Sequence, residues 1–173
     1  MEIGHARAWQ TCFMSTQITA VALPAGLTLR TAERFDDLDA RTFHAIAKLR
    51  QEIFVLEQNC VYLDLDGRDL EAGTVQLWAE APGGEVAASV RILDEHALEP
   101  GLLSIGRVVT APAWRGRGAA AALMRHAVAR CGEAPILLHA QAHLTDWYAR
   151  FGFRAVGEEY LEDGIPHREM RIR

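Results

Sequence analysis

Two arginines and two glycines, Arg115-Gly116-Arg117-Gly118, are the residues best suited to chemistry in this chain. They stand between an apolar, β-branched run ending at Ala111 and an alanine-rich stretch opening at Ala119. A helix N-terminus leaves backbone N–H groups unpaired and carries partial positive charge. Glycine lets a phosphate approach such groups closely, and arginine adds forked donors matched to phosphate oxygens. The stretch therefore predicts an anion site, centred on Arg115, Gly116, Arg117, Gly118, Ala119 and Ala120. It is not a P-loop, because no Gly-Lys-Ser or Gly-Lys-Thr follows, and it lacks the third glycine and acidic partner of a dinucleotide fingerprint.

The elements around it follow from periodicity. Leu27 to Thr31 alternates as a short strand. Phe43, Ile46, Leu49, Ile53 and Leu56 recur at helical spacing after possible caps at Asp36, Asp37 and Asp39. An acidic loop with a turn at Asp66-Gly67 follows, then strands over 74–80 and 85–93 joined as a hairpin. A strand over 103–111, a helix over 115–131 stopped by Gly132 and a strand over 136–141 make a parallel β-α-β unit. A short helix over 144–150 and two last strands, 153–160 and 166–172, complete a mixed α/β domain. Ligands of a β-α-β unit sit beyond the carboxyl ends of its strands. Tyr148 lies within reach of that edge, so a phosphorylated molecule would extend its reactive end toward a phenol.

Composition bounds the function. With 173 residues, 50% hydrophobic and 24% charged, the chain reads as one globular domain. A net charge of -5 argues against nucleic acid or an anionic membrane as partner. Three dispersed cysteines, Cys12, Cys60 and Cys131, show neither metal spacing nor a disulfide framework, which points to a reducing cytoplasm and no metal. No apolar run approaches the ~20 residues of a membrane span. Residues 1–26 read as an extension, weakly attached to about Leu23, with Met1 or Met14 as the start; 27–173 read as the domain.

The Arg115–Ala120 loop, the strand before it and Trp147-Tyr148-Ala149-Arg150-Phe151-Gly152-Phe153 resemble the GNAT N-acetyltransferase superfamily. Segments 49–60, 65–70, 140–144 and 162–167 resemble its ElaA-like members. The resemblance implies a GNAT fold, α/β (α+β): a twisted, mostly antiparallel mixed sheet with a central parallel pair and helices on both faces. It also implies direct acetyl transfer from acetyl-CoA to a small-molecule or peptide amine, in a monomer or homodimer. Backbone groups of Val108 and Val109 would pair with the pantetheine arm, the N–H groups of residues 117–120 would hold the pyrophosphate, and Gln141 stands where relatives carry a pantetheine-contacting Asn. Tyr148 matches the general acid. The base is open: the strand segment Ser104-Ile105-Gly106-Arg107 holds no Glu, and His139, His143 and Glu80 are the alternatives. Glu57, Asp64, Asp66 and Asp69 read either as an acidic rim for a cationic amine or as a solvated loop. The rival functions are a non-catalytic acyl-CoA sensor on the same fold and a nucleic-acid binder.

Overall fold

A computed structural model describes residues 22–173. The expected weak attachment of residues 1–23 lies, but for its last two residues, outside the described residues; Leu23 packs against the core. Seven strands form one sheet in the order β1-β2-β3-β4-β5-β7-β6. They are β1 (Thr28–Ala32), β2 (Val75–Glu80), β3 (Val86–Asp94), β4 (Leu103–Thr110), β5 (Ile136–Gln141), β6 (Arg154–Glu162) and β7 (Ile165–Ile172). Only β4 and β5 run parallel; every other pair is antiparallel.

Helices cover both faces. On one, α2 (Ala119–Arg130) buries Leu123, Met124 and Ala127 against Val90, Ile136 and Leu138. On the other, α1 (Ala40–Arg50) buries Ile46 and Leu49 against Trp78 and Val109. The short α3 (Thr145–Ala149) follows β5 through a 3-10 turn over Ala142–Leu144. Asp39 caps α1, its Oδ1 accepting from the N–H groups of Arg41 and Thr42 at 2.9 and 3.0 Å, a contribution of about 1 kcal/mol.

Two expectations need correction. The helical stripe does not reach Leu56, which is 76% exposed. From Gln51 to Glu57 the helix is π-helical, and Gln58 N–H donates to Ile53 O at 2.9 Å, five residues back. The wider turn breaks the register of the stripe, so Ile53 stays buried while Leu56 faces water. Second, α2 begins at Ala119 rather than Arg115. Gly116 and Gly118 hold φ of +70° and +87°, outside the right-handed helical region, so the chain cannot enter the helix until it has passed them.

The parallel pair is short, and this sets the stage for function. Leu103 pairs with Ile136 and Ser104 with Leu137, and there the pairing stops. Beyond Ser104, β4 bulges: its register against β3 shifts between Ser89 and Arg91, with Arg107 at φ +53°. The two central strands part like a wedge.

Candidate active site

The wedge opens into a cavity of about 590 Å³. Val108 from β4, His139 and Gln141 from β5, Tyr148 from α3, and Phe54 and Gln58 from the π-helical segment all line it. Ala111 N–H donates to Ala87 O at 2.9 Å, and by antiparallel alternation the backbone groups of Val109 also face β3, opposite Ser89. The alternation turns Thr110, and Val108 within the bulge, toward the open edge. Of the two expected pantetheine contacts, Val108 is thus at the cavity and Val109, 3% exposed, is in the core between α1 and the sheet.

At the same end stands the loop expected to cradle an anion. Ala122 is the first residue of α2 to donate backward, to Gly118 O at 3.0 Å, so the N–H groups of Ala119 and Ala120 have no helical acceptor. A Cβ added at Gly116 or Gly118 would meet no protein atom within 4 Å, so glycine is demanded there by the positive φ, and the space above the loop is free. The Arg115 guanidinium bonds Glu57 Oε2 at 2.8 Å and Thr110 O at 3.4 Å, while that of Arg117 lies over the Trp114 ring, 5.0 Å from its centroid. Open N–H groups, free space and two guanidiniums fit a pyrophosphate.

Tyr148 is 9% exposed and packs edge-on against Trp147 and Phe153. Among the described residues its hydroxyl has no hydrogen-bond partner. Burial pushes the phenol up to about 12, which keeps it protonated at neutral pH. Gln141 Nε2 donates to Gln58 Oε1 at 3.0 Å, across the cavity from β5 to the helical segment. His139 is exposed and pairs through Nδ1 with the Tyr160 hydroxyl, and His167 stacks on that ring with centroids 6.2 Å apart. His143 and Glu80 are not brought to the cavity: His143 is exposed on the 3-10 turn, and Glu80 bonds Arg30 at 2.9 Å.

The acidic loop is neither a rim nor solvated. Arg50, 0% exposed, bonds Asp64 Oδ2 at 2.9 Å, Asp64 O at 2.8 Å and Asp69 Oδ1 at 2.8 Å. Arg91 grips both oxygens of Asp66 at 2.9 and 2.8 Å and lies 3.1 Å from Asp69 Oδ1. Arg107 Nη2 bonds Asp66 Oδ2 at 3.1 Å; its Nε is 2.9 Å from Asp64 Oδ1, close but not aligned for a hydrogen bond. Burial alone would raise Asp66, but Arg91, aided by Arg107, holds it at about 2. Arg68 clasps Glu95 at 2.9 and 3.1 Å, and Ser104 Oγ donates to Glu95 at 2.7 Å. This network straps the segment from Tyr62 to Asp69 onto β3 and β4 as one cavity wall. Only one sign of it is legible in the chain: a charged residue, Arg50, on the apolar stripe of α1. Glu57 is spent on Arg115, and Cys60, also in the wall, has its thiol pushed up by burial and by Asp163 and Glu162, which disfavours a thiolate nucleophile.

With this geometry in hand, comparison with known proteins is direct. The acetyltransferase (GNAT) domain family matches residues 35–173. A UPF0039 protein of Mycobacterium tuberculosis is 47% identical over 134 residues, 78% of this chain and 86% of that protein. Protein ElaA of Escherichia coli is 40% identical over 138 residues, 76% of this chain and 87% of ElaA. The crystal structure of an acyl-CoA N-acyltransferase from Pseudomonas aeruginosa superposes with a TM-score of 0.77 at 41% identity, covering 84% of this chain and 98% of that one. The ElaA crystal structure gives 0.78 at 34% identity, covering 85% and 99%. The wedge between β4 and β5, the cradle before α2 and these relatives agree: the chain belongs to the GNAT acetyltransferase family.

Proposed function

We propose that the protein transfers the acetyl group of acetyl-CoA to a primary amine, directly, with both substrates bound together. The observation that carries this reading is Tyr148: a phenol nine-tenths buried, protonated, without a protein partner, lining the wedge beyond the anion cradle. The ring is held by the core while the hydroxyl, bonded to nothing in the protein, is left open to the cavity, where it can donate to a ligand.

The cradle from Arg115 to Ala120 holds the pyrophosphate, with Arg117 free to turn from Trp114. The pantetheine arm adds along the open edge of β4 at Val108, and Gln141 offers an amide to it. The neutral amine attacks the thioester carbon; the carbon–nitrogen bond forms as the carbon–sulfur bond breaks. Tyr148 donates a hydrogen bond to the departing sulfur and stabilises its growing charge. The surplus proton on nitrogen leaves through His139, whose Nδ1 is tied to Tyr160 and whose exposed ring returns it to water. Cys60, a poor thiolate, offers no covalent detour.

Tyr148→Phe tests this. The hydroxyl bonds nothing in the protein, so its removal leaves the fold intact and acetyl-CoA affinity within about twofold of wild type, while kcat for thiol release falls about 100-fold or more. Unchanged kcat removes Tyr148 from the mechanism. Acetyl-CoA binding with no thiol release from the wild type, across polyamines, amino acids, aminoglycosides and peptides, would favour the acyl-CoA sensor instead.

A further inference from the structure

The charges lining the cavity do not cancel. Three arginines line it, Arg68, Arg91 and Arg107, and each is spent on carboxylates of the wall: Glu95 and Glu71, Asp66 and Asp69, Asp64 and Asp66. Two lining carboxylates, Glu162 and Asp163, have neither an ion pair nor a hydrogen-bond partner among the described residues. They sit at the β6–β7 turn, where Asp163 and Gly164 hold φ of +51° and +79°. Asp-Gly with both φ positive is the tight two-residue turn that matches strand twist, so the position of these carboxylates is set by the hairpin. Their field reaches inward: both push the Cys60 thiol up. Much of the remaining wall is apolar, with Leu93, Leu137 and Ile165 inside and Leu63 and Leu98 exposed on it.

Among the described residues, a carboxylate-bearing acceptor finds no lining arginine or lysine that is not already paired. A second ammonium finds two unpaired carboxylates, and a methylene chain finds leucines. Tyr148, nine-tenths buried and unpartnered in the same cavity, independently marks it as a ligand site. We infer that the acceptor is a di- or polyamine: one amine, neutral, meets the thioester near Tyr148, and a second, charged, is held by Glu162 and Asp163. This rests on the acyl-transfer reading for the reacting amine but not for the held one.

The test compares cadaverine with pentylamine and with 6-aminohexanoate, which replace the second ammonium by a hydrogen and by a carboxylate. Thiol release from acetyl-CoA is followed in the wild type and in Glu162→Gln/Asp163→Asn; Asn keeps the left-handed turn. The diamine should exceed both others in kcat/KM by about tenfold, two ion pairs to exposed carboxylates contributing up to about fivefold each. The double variant should abolish that preference through KM with kcat retained. Equal kcat/KM for cadaverine and pentylamine, or an unchanged preference in the variant, overturns the inference. Calorimetric binding of cadaverine separates the two readings. Binding that needs Glu162 and Asp163, without thiol release, refutes acyl transfer and sustains the diamine site. Thiol release with pentylamine, without carboxylate-dependent cadaverine binding, does the reverse.

Discussion

Arg50→Met takes the centre out of the buried network while keeping the volume and apolar stem of the side chain. In the wild type, burial favours the protonated form of Asp69, but Arg50 and Arg91 outweigh it and hold the carboxyl below its ordinary value. Cutting one partner from a buried pair costs about 3–5 kcal/mol. Here the lower end applies, because Asp69 keeps Gln76 at 2.8 Å and Arg91 at 3.1 Å, and Asp64 keeps Arg107 at 2.9 Å. At about 2–4 °C per kcal/mol for a domain of this size, a loss of about 3 kcal/mol lowers Tm by about 6–12 °C at pH 7. The pH dependence has a definite sign. A carboxyl depressed in the folded state stabilises the fold above its unfolded value, about 3.9, and that stability is lost as pH falls through the folded value. Removing Arg50 exposes Asp69 to its burial cost, a penalty that disappears once the carboxyl is protonated. The gap between wild type and variant therefore narrows as pH falls from 7 toward 4. Scanning calorimetry at both values measures it, with urea titration as a check on two-state behaviour. A Tm within about 2 °C of wild type at pH 7, or a gap of equal size at both pH values, would refute the network as a determinant of the fold.

Other consequences follow from the cradle and the phenol. Glu57→Gln frees Arg115 from its exposed ion pair, so calorimetry should show CoA binding tighter by up to about fivefold, with acetyl-pantetheine, which lacks the pyrophosphate, unaffected. Gly118→Ala forces a Cβ into φ +87°; the strain of about 1–2 kcal/mol should lower Tm by about 2–8 °C and weaken CoA binding in the same titration. Because Tyr148 ionises only near 12, its loss of the proton produces no descending limb in kcat/KM up to about pH 10; the profile should rise with pH as the acceptor ammonium deprotonates, measured with constant ionic strength.

Local order was open to reading from the chain. Ile136–Gln141 is a strand at the expected bounds, since Ile136, Leu138 and Ala140 alternate toward the core. The geometry of the Arg115–Ala120 loop was legible because glycine in a left-handed conformation and free N–H groups at a helix start are local properties of a few consecutive residues. The start of α2 was misplaced for a related reason: helical periodicity in the alanines says nothing of where two positive-φ glycines release the chain. Leu56 was misassigned because a π-helical turn changes the period without changing the composition.

What the sequence by itself determined is therefore the kind of molecule: strands and helices in order, a glycine-arginine loop opening a helix, and a tyrosine downstream at a spacing that reaches the same edge. Only the tertiary structure decided what is paired with what. Asp64, Asp69 and Arg50 lie up to 19 residues apart along the chain, so no local pattern shows that they pair in the interior. Glu162 and Asp163 look like any polar hairpin until the fold places them on a cavity whose arginines are already taken. His139 and His143, four residues apart, are separated by the end of β5, which leaves one in the cavity wall and the other on the surface. Coulomb and hydrogen-bond energies depend on distance and burial in space, and the order of residues specifies neither until the sheet has closed around them.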